Sequence, residues 1–362
     1  MMTPSAKTLT IAEQLCPSDG WPFLWIRTHA GPQIGFGHLR RCMVLARSLL
    51  DCSRPIFLLD PEDCWSREQL ANQGFDYFCE TLDKAWTLLP EPNAVLIDTR
   101  RVQSLEYLLK IARNRGIPVI SIHDLGLSPL PSDILIDGSI APAFQEANSQ
   151  YSTILTGTDF MILDPVYHLL HQRRKRISQK IQSIFINLGG GDSHQYYSRV
   201  LEGLRLWAHE AEVVAVPGFI SWGQKRLEEM DWYPLRFRWE YAATDQFLFR
   251  ADLAITAGGL AAYEALCTGT PLLALSFDSL QQVTIRALAA AGACIDLGSG
   301  DDLDPRVLAA TLSKIGVGCN ARKILSMRGR KIVDGRGAAR VSEIIRRVVG
   351  SGEDADRQRL NA

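Results

Sequence analysis

The chain has 362 residues, 46% hydrophobic and 22% charged, with a formal net charge of −1. That length suffices for two cores, and the near-zero charge excludes bulk attraction to nucleic acid or acidic membranes. No apolar run approaches the roughly 18 residues of a membrane-spanning helix, and residues 1–20 lack the apolar segment of a secretory leader. The eight cysteines form no C-x-x-C pair and no histidine cluster joins them at metal spacing. They read as small core residues of a cytoplasmic protein, with no metal and no cofactor expected.

Residues 1–22 read as an N-terminal extension. The run 23–26 is a short apolar strand, followed by the turn-rich Ala30-Gly31-Pro32. Gly35-Phe36-Gly37-His38 comes next, and Leu39, Cys42, Met43, Leu45, Ala46 and Leu49 then recur at helical spacing. The order is strand, glycine loop, helix. Gly35 and Gly37 allow a ligand close to the backbone, and the N–H groups of a helix start favour an anion there. His38 stands in that first turn, where it can accept a proton. Residues 55–59 predict a buried strand, and 66–74 a helix capped by Ser66. The run 94–98 predicts a strand ending in Asp98. A helix over 102–115 leads to strands at 117–124, ending in Asp124, and at 134–137. Continuous apolar strands between helices indicate a parallel sheet covered on both faces. Ligands gather at the carboxyl ends of such strands, so His38, Asp98 and Asp124 should share one rim.

Residues 166–182 are polar, with Arg173-Arg174-Lys175-Arg176 in a row, and read as a solvated linker between domains 23–165 and 183–348. The second half restarts with a strand at 183–188, the loop Gly189-Gly190-Gly191-Asp192-Ser193 and a helix over 195–209. A strand at 212–216, a short helix at 245–251 and a strand at 253–256 follow. Ala257-Gly258-Gly259 opens a helix over 261–267, a strand spans 271–276 and a helix 280–291. The remainder to 348 is mostly helical, and 349–362 form a charged tail.

Gly189, Gly190, Gly191 and Ser193 can offer N–H groups and a hydroxyl to phosphate, as can Gly258 and Gly259. Glu264, five residues beyond Gly259, can accept hydrogen bonds from ribose hydroxyls. Neither loop fits the dinucleotide fingerprint G-x-G-x-x-G. Two glycine loops and Glu264 on parallel strands favour a nucleoside diphosphate in a cleft between two α/β domains.

The segment Gly35-Phe36-Gly37-His38-Leu39-Arg40-Arg41-Cys42 resembles the G-x-G-H-x-x-R-C motif of the UDP-sugar hydrolases of pseudaminic acid biosynthesis, which overlap with the spore-coat polysaccharide proteins. Similar matches run in order through Leu188-Gly189-Gly190-Gly191-Asp192, the stretch from Ala251 to Glu264, and Gly335-Arg336-Gly337-Ala338-Ala339-Arg340. The resemblance covers about residues 23–348. It implies an α/β protein of the GT-B fold, similar to the peptidoglycan N-acetylglucosaminyltransferase: two doubly wound Rossmann-like domains facing across a cleft. It also implies a UDP-linked amino or deoxy sugar as substrate. Gly35, Gly37, Arg41 and Arg100 would lie on the sugar side, and Gln281-Gln282 near the nucleotide sugar. His38, with Asp98 and Asp124, would activate water to release UDP with inversion and without metal, alongside other enzymes of the pathway. The sequence departs from the family at Arg100, where the family has tyrosine, and at His123, where it has Asp. Gln281-Gln282 stands where the hydrolases have Asn-Gln and leans toward the transferase pattern. A GT-B glycosyltransferase with a UDP-sugar donor is therefore the alternative. A non-catalytic nucleotide-sugar-binding protein comes next, and a nucleotide-sugar epimerase is a weaker choice.

Overall fold

The computed structural model describes residues 20–32, 34–100, 105–123, 130–142, 153–189, 194–218, 231–242 and 244–360. Two parallel sheets carry the architecture. The first has seven strands in the order β3-β2-β1-β4-β5-β6-β7. Its strands are β1 (Phe23–Thr28), β2 (Arg54–Leu59), β3 (Asp76–Cys79), β4 (Ala94–Asp98), β5 (Val119–His123), β6 (Ile134–Asp137) and β7 (Thr153–Thr156). The second has six strands in the order β10-β9-β8-β11-β12-β13. These are β8 (Ser183–Asn187), β9 (Ala211–Ala215), β10 (Leu235–Trp239), β11 (Leu253–Ala257), β12 (Leu272–Ser276) and β13 (Cys294–Ser299). Both sheets run outward in two directions from their first strand, so each has a switch point: β1 against β4, and β8 against β11. Helices α1 (Gly37–Leu49), α5 (Pro165–Gln172), α7 (Thr244–Arg250), α8 (Leu260–Thr268), α9 (Ser279–Ala290) and α12 (Gly337–Leu360) matter most for the site. We number the others α2 (Cys64–Asn72), α3 (Leu82–Leu88), α4 (Glu106–Asn114), α6 (His194–Trp207), α10 (Pro305–Gly316) and α11 (Asn320–Ile332).

The period-2 alternation of each strand divides each core in two. In β1, Leu24 and Ile26 pack with Leu39, Leu45 and Leu49 of α1, while Phe23 and Trp25 face Trp86 and Leu105 on the other side. In β8, Ile184 and Ile186 join Val200 and Leu204 of α6, while Phe185 joins Leu266 of α8. Every strand that the sequence predicts is present. The short strands β3, β7, β10 and β13 and helix α3 lack a long apolar run and are additions. α2 begins two residues before Ser66: Asp63 is its cap, accepting from Ser66 N at 2.9 Å. Ser66 is thus the third residue of its helix, not the cap. The helix expected over 102–115 spans Glu106–Asn114, and residues 101–104 lie outside the described ones.

Two segments differ from a simple division of the chain. Residues 166–182 are not all solvated linker. Residues 165–172 form α5, where Asp164 caps Val166 N at 2.9 Å and Pro165 occupies the first turn. Its Tyr167 and Leu170 are buried in the second core. Lys175 of the basic run donates to the carbonyls of Phe249 and Ala251 at the end of α7. Burial there pulls its ammonium down to about 7 against the pull of Asp252. The second segment is α12, which returns to the first sheet. Its Ala338, Val341 and Ile345 pack with Leu45 and Leu49 of α1. Arg346 pairs with Asp51 at 2.7 Å, and the hydroxyls of Ser48 and Ser342 lie 2.5 Å apart. Among the described residues no helix is long and apolar enough to cross a membrane.

The start of α12 admits no side chain. A Cβ on Gly337 would lie 2.1 Å from the carbonyl oxygen of Met161, and that neighbour is backbone. Gly337→Ala is expected to destabilise the protein by about 1–3 kcal/mol, read as a lower melting temperature. Gly350→Ala, where nothing lies within 4 Å of the added Cβ, is the matched control.

Candidate active site

At the first switch point, Thr28 and Asp98 are register partners at the ends of β1 and β4. The chain leaves β1 through a tight reversal: Gly35 N donates to Gly31 O at 2.7 Å, with Gly35 at φ +77. That positive φ is one that glycine adopts without strain. α1 then starts at Gly37 with no side-chain cap and no acid in its first turn. Its N-terminal N–H groups therefore keep their field for an incoming anion.

His38 and Asp98, separated by sixty positions in the chain, meet here. His38 Nδ1 lies 2.6 Å from Asp98 Oδ1. Arg41, one turn along α1, donates Nε to Asp98 Oδ2 at 3.0 Å and Nη2 to Oδ1 at 2.9 Å. His38 is 3%, Arg41 5% and Asp98 0% exposed. Burial works against the charge on Asp98, but Arg41 and His38 beside it outweigh burial and hold the carboxyl well below the usual carboxylate range. An ionised Asp98 requires Nδ1 of His38 to be the N–H donor. Arg41 Nη2, at 3.1 Å from the same nitrogen, then has no lone pair to meet and belongs to Asp98. Nε2 is left as the proton acceptor, the division of labour of a histidine oriented by a carboxylate.

The sequence reading missed His29. Its ring stacks on His38 at 5.5 Å and 14°, and its Nδ1 lies 2.6 Å from Thr99 Oγ1. Nothing in the linear pattern marks it, because the contact depends on β1 and β4 being neighbours. Arg41, expected on the substrate side, clasps Asp98. Arg100, two residues beyond Asp98, is half-buried, and its Nε has no hydrogen-bond partner among the described residues. Asp124 lies outside the described residues, as do Gly190, Gly191 and Ser193.

At the second switch point, Gly189, two residues past the end of β8, has φ +89 and donates its N–H to Asn187 Oδ1 at 3.0 Å. Gly258 is packed: an added Cβ would meet the Gln281 carbonyl oxygen at 2.9 Å. Gly259 is the N-cap of α8 and offers no side chain to its N–H groups. A Cβ on Gly37 would lie 3.7 Å from Leu260 Cδ1, so the first residues of α1 and α8 face each other across the domains. Two uncapped helix starts converge on one place, a setting for an anion.

Glu264, expected to accept from ribose hydroxyls, is 5% exposed. Arg40 Nη2 of α1 stands 3.8 Å from its Oε1. Burial raises the Glu264 carboxyl and Arg40 opposes the rise. Gln282 is held at both ends of its amide, by Ser276 Oγ at 2.7 Å and Asp296 Oδ2 at 3.0 Å. Gln281 uses Oε1 for Phe277 N at 3.2 Å, leaving Nε2 uncommitted among the described residues. Among the described residues, no three His, Cys, Asp or Glu side chains gather to hold a metal ion.

No protein-family model matches the chain. Over 248 residues it is 29% identical to the spore coat polysaccharide biosynthesis protein SpsG of Bacillus subtilis (strain 168), covering 66% of this chain and 72% of that one. Among solved structures it is similar to MurG of Acinetobacter baumannii, with TM-score 0.67, 14% identity and coverage of 90% of this chain and 99% of that one. It is also similar to LpCGTa in complex with UDP, with TM-score 0.62, 12% identity and coverage of 89% and 99%. The calicheamicin glycosyltransferase CalG4 follows with TM-score 0.58, 13% identity and coverage of 91% and 98%. At these identities the likeness is one of fold, and the fold is GT-B.

Asp98→Asn would leave the Arg41 guanidinium buried without its counter-charge. The expected cost is about 3–5 kcal/mol at pH 7, measured by denaturant unfolding. The sign with pH follows from the depressed carboxyl. Its contribution is complete above the unfolded value near 4 and declines as pH falls below it. The wild type's lead over Asp98→Asn should therefore shrink on acidification, while an equal gap at pH 7 and pH 3 would contradict the ionised carboxylate.

Proposed function

We propose that this protein is a GT-B glycosyltransferase that uses a UDP-linked sugar as donor in the biosynthesis of a polysaccharide. The observation that carries the reading is the His38–Asp98 pair, 2.6 Å apart and buried at the start of α1, facing the uncapped start of α8 across the domains. The GT-B fold and the similarity to a spore coat polysaccharide biosynthesis protein support it, as does the UDP carried by a structure of like fold.

In this reading UDP lies on the second domain. The loops after β8 and β11 take the diphosphate, Glu264 the ribose, and Gln281 contacts the donor with its uncommitted amide N–H. The sugar reaches into the cleft toward His38. An acceptor hydroxyl attacks the anomeric carbon as its proton passes to Nε2 of His38. The bond from that carbon to the diphosphate oxygen breaks, and UDP leaves with the bonding pair. The configuration inverts because attack is opposite the leaving group. Asp98 holds the imidazole in its accepting tautomer, Arg41 keeps Asp98 ionised, and Arg100 stands near the sugar. General-base help of this kind is worth roughly 10²–10⁴-fold. The helix starts stabilise the leaving diphosphate electrostatically. The free thiols of Cys42, Cys52, Cys64, Cys79, Cys267, Cys294 and Cys319 suit a reducing cytoplasm, where other enzymes would supply the donor.

Hydrolysis, the reading implied by the G-x-G-H-x-x-R-C resemblance, is the same step with water as acceptor. One observation favours it as a second reading: His38 is only 3% exposed, which admits water more readily than a bulky hydroxyl. In that case the substrate would be a UDP-linked diacetamido-trideoxy sugar of the pseudaminic acid type.

UDP release from a panel of UDP-linked amino sugars, with and without a pool of glycan acceptors, separates the readings. Transfer predicts release that depends on acceptor and falls at least about 10²-fold in His38→Ala. Release in buffer alone, lost in the same variant, would establish hydrolysis instead. Tight binding with no release under either condition would overturn both and leave a binding protein.

A further inference from the structure

Arg40 has no part in the chemistry above. It lies between Leu39 and Arg41 on α1, and its guanidinium leaves the first domain to stand 3.8 Å from Glu264 Oε1 on α8 of the second. That distance is an ion pair without a close hydrogen bond. The Arg40 side chain is 48% exposed and that of Glu264 7%. Around the carboxylate stand Tyr167 and Asp164 of the α5 segment and Asp245 of α7. Arg40 is the cation that offsets this acidic cluster.

The Glu264 side chain is 7% exposed with Arg40 beside it, so ribose hydroxyls that bond to its carboxylate compete with Arg40. The displaced guanidinium has a second partner within reach. Gly259, the uncapped start of α8, lies five residues back from Glu264, about 7.5 Å along the helix axis. Gly37, three residues before Arg40, faces Leu260 there. A planar guanidinium binds a phosphate in two-pronged fashion. We propose that Arg40 is a specificity residue for the nucleoside diphosphate: it covers Glu264 in this structure, yields it to the ribose, and pairs with the diphosphate. The exchange rests on the nucleotide-sugar reading. It adds a device by which a nucleoside alone gains little, since it must expel Arg40 without offering it a new partner.

Isothermal titration with uridine and with UDP tests the exchange, with thermal melts run in parallel. The wild type should bind UDP more tightly than uridine. Arg40→Gln should bind UDP about tenfold more weakly, while uridine binds as well as before or better. Arg40→Lys, a point charge without the fork, should fall between the two for UDP alone, and it carries the test if Arg40→Gln does not fold. Equal weakening of both ligands, or an unchanged ratio between them, would overturn the proposal and reduce Arg40 to a contact between domains. In those cases UDP still binds and the parent reading stands. A wild type that binds neither ligand would overturn both.

Discussion

The site depends on keeping a carboxylate charged in a place where burial opposes the charge. Asp98 is fully buried at the end of β4 and remains ionised because Arg41 and His38 surround it. Each of the three is conditional on the others. Without Asp98, Arg41 is a buried cation with its main partner gone. Without Arg41, the carboxyl would rise with burial and lose its hold on the imidazole. The tautomer of His38, and with it the nitrogen offered to the cleft, follows from this arrangement rather than from His38 alone.

The fold delivers the arrangement through its switch points. β1 and β4 are neighbours because the first sheet grows outward in both directions from β1, so a helix leaving β1 opens above the end of β4. The same geometry at β8 and β11 opens α8. The two helix starts then face each other because the domains are fastened at more than one point. α12 returns from the second domain to pack on α1, Gly337 lies against the backbone of Met161, and Tyr263 Oη accepts from Ile140 N at 3.1 Å. Glycine at 337 is a requirement of that fastening rather than of chemistry.

Much of this was legible in the sequence. The apolar runs at 23–26, 55–59, 94–98, 183–188 and 253–256 gave both sheets, because strands buried on two faces need continuous hydrophobicity. The glycine at 35 and the histidine at 38 marked the first turn of α1, and Asp98 marked the end of a strand on the same rim. What the residues alone did not disclose depends on contacts between distant segments. Arg41 reads as a substrate cation until the register of β1 and β4 sets Asp98 beneath it. His29 carries no pattern at all. Glu264 looks like an exposed helix acid until α5, itself hidden in a run of polar residues, covers it with Tyr167. α12 is assigned by chain order to the second domain and by packing to the first. The basic run at 173–176 looks solvated, yet Lys175 bonds to the carbonyls of Phe249 and Ala251 where α7 ends.

The most direct test of the account is the protonation of the His38 ring nitrogens, read by ¹⁵N-edited NMR on side-chain-labelled protein near neutral pH. An ionised Asp98 beside Arg41 predicts that the neutral imidazole carries its proton on Nδ1, with that proton shifted far downfield by the hydrogen bond, and leaves Nε2 bare. Finding the proton on Nε2 in the neutral ring would contradict the account, because Nδ1 could then not donate to Asp98 and Nε2 would have no lone pair with which to accept a proton.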